Sequence, residues 1–119
     1  MKKIYHLANC TTCQAIIREN DLPAKGFTMQ NIREEKMTAA QLEAMKNLSG
    51  SYESLFSRRA LKYKELGLKD RKLSESDYRD YILQEDTFLK RPVVIIGKQI
   101  FIGNEKKNLE ALKAATSSL

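Results

Sequence analysis

Two residues stand out for the chemistry they could do together, Cys10 and Cys13, the only cysteines in 119 residues. The reactive form of cysteine is the thiolate, and an ordinary thiol is mostly protonated at neutral pH. Thr11 and Thr12 lie between them, and the stretch Asn9-Cys10-Thr11-Thr12 has residue types that open helices. If a helix begins here, its unpaired N–H groups and positive dipole end face the Cys10 sulfur, and the two threonine hydroxyls add donors. Three-residue spacing places Cys13 on the same helix face, so the two sulfurs can meet as a disulfide. Cys10, the outer thiol, then serves as nucleophile, and Cys13, the more buried one, as the resolving or switch thiol. Two cysteines at this spacing after a strand point to redox chemistry rather than to a secreted disulfide scaffold. A four-ligand zinc site would need carboxylates or a second chain, because His6 is the only histidine and there is no second Cys-x-x-Cys; no metal is expected. His6 itself, four residues before Cys10, reads as a packed, hydrogen-bonded side chain rather than as a group tuning the thiol.

These thiols need a scaffold to hold them. Residues 3–7 read as a short buried strand, and residues 13–20 as a helix with Ile16 and Ile17 inward, broken by Asp21-Leu22-Pro23 and Lys25-Gly26. Phe27, Met29 and Ile32 suggest a second strand with alternating faces. From residue 38 to residue 90 the pattern turns helical. Thr38-x-x-Gln41 and Ser74-x-x-Asp77 look like helix starts, Gly50 and Gly67 like stops, and the stripe of Tyr52, Phe56, Tyr78 and Tyr81 like core. Beyond Pro92, residues 93–96 and 99–102 form a hairpin through Gly97-Lys98, and Asn104 is placed to cap a last helix.

The order is therefore βαβ, several helices, then ββα. This is an α/β chain of thioredoxin-like layout, with a four-stranded mixed sheet and a helical insertion between its halves. We read one domain over residues 1–119, with residues 1–32 and 91–116 as the thioredoxin-like core and 33–90 as the insertion. Length supports a single core. With 42% hydrophobic and 30% charged residues, the composition is that of an ordinary globular chain. No apolar run approaches the roughly 20 residues of a membrane span, and the N-terminal apolar stretch is too short for an export signal, so a cytoplasmic location without membrane contact is expected. The net charge of +6 could favour an acidic or oxyanion partner. Acidic residues interleave with the basic ones almost throughout, however, so the charge reads as a solvated basic surface and no direct nucleic-acid binding is expected.

Several of these segments resemble one family. Ile4-Tyr5-His6-x-x-x-Cys10 looks like the opening of ArsC-type arsenate reductases, and Cys10-Thr11-Thr12-Cys13 like the redox switch of Spx-type regulators. The segments from Tyr63 to Leu68 and from Phe88 to Ile96, the latter containing Arg91-Pro92, are similar to stretches shared by both groups. The resemblance spans nearly the whole chain. It implies a thioredoxin-like fold, a cis peptide bond at Pro92 facing the cysteine loop, a nucleophile at Cys10, an oxyanion-binding arginine at Arg91 and a monomer. In the arsenate reductases the cysteine attacks arsenate, and glutathione and glutaredoxin complete the reduction, with three arginines holding the anion. A guanidinium fork suits a tetrahedral oxyanion. Here Ser57 and Gly103 stand where the first and third arginines fall, leaving Arg91, with Arg58 and Arg59 as neighbouring helpers. Each lost charge-assisted contact is worth about 1.5–3 kcal/mol, which argues against arsenate as the natural substrate.

Two functions follow. One is a cysteine-dependent oxidoreductase acting on a small oxyanion or thiol substrate, with no bound cofactor and with glutathione, glutaredoxin or thioredoxin as electron donor. Arg91, Arg58, Arg59, Pro92 and the backbone around Thr11 and Thr12 would hold the substrate. The other is an Spx-like redox-sensing transcriptional regulator, in which the Cys10–Cys13 pair switches binding to the α subunit of RNA polymerase; Gly50 falls near the family position for that contact.

Overall fold

The computed structural model describes all of residues 1–119. The chain divides into two compact units, one of residues 1–35 and 91–119, the other of residues 36–90.

The first unit contains β1 (Lys2–His6), α1 (Thr11–Glu19), β2 (Thr28–Asn31), β3 (Val93–Ile96), β4 (Gln99–Ile102) and α5 (Lys106–Ser117). Its four strands form one mixed sheet in the order β2-β1-β3-β4. β1 runs parallel to β2, with Ile4 opposite Met29, and antiparallel to β3, with Ile4 opposite Val94. β3 and β4 are a hairpin in which Ile96 faces Gln99, and Gly97 (φ 59°) supplies the positive φ that a two-residue turn requires. One core joins sheet and helices: Ile4, Ile16, Ile17, Leu22, Phe27, Val94, Phe101 and Leu112. Two lysines pin the helix ends, with Lys25 Nζ donating to the Thr116 carbonyl at 2.8 Å and Lys113 Nζ to the Glu19 carbonyl at 2.7 Å. Both bonds place a cation on a helix C-terminal carbonyl, where the dipole favours it.

Three local expectations are corrected here. In β2 the inward residue is Gln30, at 2% exposure, while Met29 is exposed. The buried Gln30 amide is satisfied by donating to the Glu35 carbonyl at 3.0 Å, so the polar side chain is tolerated inside. The first strand ends at His6, because the Leu7 carbonyl turns away to accept from the Cys10 amide at 3.1 Å. Finally, α5 is not capped by Asn104. Glu105 holds the cap position without a side-chain bond, and the Asn108 amide closes the turn instead, accepting from the Ile102 N–H at 3.2 Å and donating to the Gly103 carbonyl at 2.9 Å.

The second unit contains α2 (Ala39–Ser49), α3 (Leu61–Glu65), α4 (Glu75–Gln84) and three single 3-10 turns, Glu53–Leu55, Leu68–Asp70 and Asp86–Phe88. α2 and α4 each open with a complete capping box, Thr38 with Gln41 and Ser74 with Asp77. Gly50 ends α2 in the left-handed region. Two residues of the aromatic stripe are core: Phe56, fully buried, stacks on Phe88 at 5.0 Å and meets Tyr78 at 4.9 Å; Tyr81, half-buried, packs on Phe88 at 5.6 Å, while Tyr52 lies outside the core with Lys46 Nζ 5.8 Å from its ring centre. Glu75, in the first turn of α4, accepts the Tyr52 and Glu53 amides at 2.7 and 3.1 Å, tying the start of α4 to the first 3-10 turn. No helix of the chain is long and apolar enough to cross a membrane.

Candidate active site

The site is built where β1 hands over to α1. Cys10 has an extended backbone (φ −89°, ψ 107°) and occupies the N-cap of α1. The Cys10 carbonyl already accepts the first helical bond, from the Gln14 amide at 3.0 Å, while its sulfur accepts from the Cys13 amide at 3.4 Å. Cysteine thus fills the place usually held by Ser, Thr, Asp or Asn, and it does so with the atom that would react. That sulfur thus sits at the N-terminal end of α1, where backbone N–H groups are unpaired and the helix dipole is positive. The loop is held from its other side by the Leu7 carbonyl, which also accepts from the Gln14 side-chain amide at 3.3 Å.

Cys13 lies one turn inward and is fully buried, whereas Cys10 is half-buried; both are free thiols. Burial, reinforced by the hydrogen bond and the charge of Cys10, pushes the Cys13 thiol up to about 12. The Leu7 backbone and the Arg91 guanidinium act on it in the opposite sense. Arg91 is therefore within electrostatic range of the pair. It precedes β3, its peptide bond to Pro92 is cis, and the Pro92 carbonyl accepts from the Gly103 amide at 2.9 Å. The Arg91 side chain is half-buried, and two of its nitrogens, Nε and Nη1, are buried without a hydrogen-bond partner in the protein. A half-buried guanidinium with two buried, unused donors is poised for an acceptor from outside the chain.

Thr11 and Thr12 form the exposed first turn of α1. His6 is buried at the end of β1, and burial lowers its pKa. Its Nδ1 has no partner, so it is packed, as its place near the sheet suggested, but not fully hydrogen-bonded. Arg58 and Arg59 belong to the second unit. There Arg58 is engaged: one nitrogen donates to Glu53 Oε2 at 2.7 Å and to the Tyr78 hydroxyl at 3.1 Å, and its guanidinium lies 5.8 Å from the centre of the Tyr78 ring. Arg59 is exposed. Sequence reasoning missed Gln14 and Glu53, the residues that brace the cysteine loop and occupy Arg58. Gln14, four residues after Cys10 on a helix that starts there, was the findable one.

The sheet order, the βαβ and ββα halves and a dithiol at the first helix define a thioredoxin-like α/β protein. Solved structures of that fold superpose over nearly the whole chain: a candidate arsenate reductase from Yersinia pestis (TM-score 0.78, 18% identity, 95% of this chain and 99% of that one) and the arsenate reductase from Vibrio cholerae (TM-score 0.72, 20% identity, 93% of each). The ArsC family profile matches residues 5–112, and the chain belongs to the ArsC family. It is also 27% identical over 108 residues to the global transcriptional regulator Spx 2 of Bacillus anthracis, covering 87% of this chain and 79% of that relative.

Proposed function

We propose that this protein is a thiol-dependent oxidoreductase whose nucleophile is Cys10. The observation that carries the reading is the Cys10 sulfur at the helix N-cap with a second, buried thiol directly behind it. For an oxidised thiol substrate RSSR′ the Cys10 thiolate attacks one sulfur, forms a Cys10–SR mixed disulfide and expels R′S⁻, which takes a proton from water. Cys13 then loses its proton and attacks the Cys10 sulfur, expelling RS⁻ and leaving the Cys10–Cys13 disulfide. A dithiol donor such as glutaredoxin or thioredoxin, or two glutathione molecules, returns two electrons and restores both thiols. Once Cys10 is in the mixed disulfide its charge is gone, so the Cys10 contributions that raise the Cys13 pKa fall away while Arg91 still favours the thiolate. The free donors of Arg91 and the backbone N–H groups of the first turn of α1 hold an anionic group on the substrate.

The test is NADPH consumption by the reduced protein, coupled through glutathione reductase with glutaredoxin or through thioredoxin reductase with thioredoxin. Arsenate and low-molecular-weight disulfides are offered as substrates. Turnover lost in both Cys10→Ala and Cys13→Ala supports the scheme. Turnover kept in Cys10→Ala, or none with any of these substrates, refutes it.

A second reading, an Spx-like regulator, is favoured by the similarity to Spx 2 over most of the chain. In this reading the dithiol pair switches binding to the RNA polymerase α subunit. A pull-down with purified α subunit, reduced against oxidised, separates the two: a regulator binds in one redox state only, and the variant lacking both thiols stays locked in the behaviour of the reduced protein.

A further inference from the structure

The interleaving of acidic with basic residues along this chain breaks down in one stretch. Residues 57–73 carry seven basic and two acidic side chains, a net +5, while the whole chain carries +6. Elsewhere acids and bases nearly cancel. This stretch includes α3 and the 3-10 turn Leu68–Asp70, joined through Gly67 in the left-handed region (φ 64°). α3 buries none of its residues. All seven basic residues are exposed.

Their bonding is sparse. Arg58 is taken by Glu53 and Tyr78, Arg71 donates to the Tyr81 hydroxyl at 3.2 Å, and Lys62 makes a loose 3.5 Å pair with Glu65. Arg59, Lys64, Lys69 and Lys72 form no ion pair at all. Two large apolar side chains stand in the same stretch, Leu61 at 78% exposure and Leu66 at 50%. Of the other exposed large apolar residues, Met1 and Leu119 are the chain ends and Met29 is on the edge strand β2. Leu61 and Lys64, three residues apart on α3, are neighbours on its surface, so exposed apolar area and positive charge stand side by side there. A nucleic acid backbone would use the lysines and leave the leucines idle.

We propose that residues 57–73 are a docking surface for an acidic protein segment that carries apolar side chains, with Lys64, Lys69 and Lys72 meeting its carboxylates and Leu61 and Leu66 its apolar groups. Charge complementarity steers and registers the encounter, and the leucines supply the area removed from water. The proposal is independent of the thiol chemistry, since it uses no residue of the cysteine loop.

The test is fluorescence anisotropy of a labelled peptide alternating Glu with Leu and Phe, titrated with the reduced full chain. Three controls accompany it: an all-Glu peptide, a peptide with Lys in place of Glu, and a duplex DNA. Expected is binding of the Glu/Leu/Phe peptide about tenfold or more tighter than of any control. Both K64E/K69E/K72E and L61S/L66S should weaken it by about tenfold, with Cys10 alkylation rate and circular dichroism unchanged. No binding of the acidic apolar peptide overturns the proposal. So does tighter binding of DNA, with steep salt dependence and no response to L61S/L66S. So does equal binding by the two variants and the parent.

Discussion

The Cys13 amide donates to the Cys10 sulfur at 3.4 Å, so the two thiols are linked through the first turn of α1 while the sulfurs themselves are unbonded. The reactive atom is thus also the helix cap. Redox change at Cys10 alters the acceptor that closes the helix, and the first turn of α1 feels the oxidation state directly.

A cap is measurable by substitution. Cys10→Ala removes the acceptor and should cost about 0.5–2 kcal/mol, toward the low end because sulfur accepts weakly. Cys10→Ser keeps an acceptor of a better kind and should be as stable as the parent or more so. Urea unfolding of the three reduced proteins decides it. Equal loss in both variants would mean that the sulfur contact contributes nothing as a cap.

The unequal burial of the pair predicts unequal reactivity. With Cys10 half-buried and Cys13 at 0% exposure, iodoacetamide at about pH 8 should place one adduct per native chain, on Cys10, and two per chain unfolded in urea. Intact-mass and peptide mass spectrometry read both numbers. Native labelling of Cys13 at a rate near that of Cys10 would contradict the placement.

Burial of Cys13 also fixes the sign of a pH effect. Its thiol is raised to about 12, against about 8.5 for an unfolded cysteine. The folded chain therefore keeps a proton that the unfolded chain releases. Stability from this group is complete below about pH 8.5 and is lost as pH rises toward 12, by up to about 1.4 kcal/mol per unit. Tyr5, likewise raised by burial and then by Glu35, adds the same sign at higher pH, so the comparison belongs between about pH 8.5 and 10. Cys13→Ala should flatten the slope of unfolding free energy over that interval, and an unchanged slope would assign it elsewhere.

His6 works at the other end. Burial lowers its pKa, so the folded chain resists protonation that the unfolded chain accepts near 6.5. Its contribution is present above about pH 6.5 and falls away as pH drops below it. His6→Gln should remove that part of the acid destabilisation. Urea midpoints from about pH 5 to 7 compare the two proteins, and parallel curves would exclude His6 as the source.

The sequence shows its architecture best where one residue type has one use. Thr38 with Gln41 and Ser74 with Asp77 announce helix starts because the hydroxyl and the partner three residues on can satisfy each other's backbone. The cysteine pair is legible for a similar reason, since spacing alone puts both sulfurs on one helix face. Met29 departs from the expected alternation because Gln30 turns inward instead, and its partner, the Glu35 carbonyl, lies on the loop beyond the strand, where no polarity pattern reports it. Asn104 failed as a cap because Asn108, one turn into the helix, reaches the same turn from inside. The engagement of Arg58 by Glu53 and Tyr78 is invisible in the sequence for a different reason: Tyr78 lies on α4, twenty residues from the turn that carries Arg58, and no local pattern reports it.

Arg91 offers the sharpest separation of stability from function. Its Nε and Nη1 are buried with no partner in the protein, and a buried donor left unsatisfied costs about 1–3 kcal/mol. Methionine has similar reach and no donor. Arg91→Met should therefore raise the unfolding free energy by about 1 kcal/mol or more, although it removes a charged group that favours the Cys13 thiolate. Sulfate, a tetrahedral oxyanion, should stabilise the parent through Arg91 by an amount that grows with concentration, about 1.4 kcal/mol at ten times its dissociation constant. Sulfate also stabilises folded proteins generally, and that part is shared by both chains. Thermal melts of parent and variant across a sulfate series isolate the specific part as the difference between them. If the two gain equally, Arg91 binds no oxyanion, and its unused donors are a defect of packing rather than the floor of a substrate site.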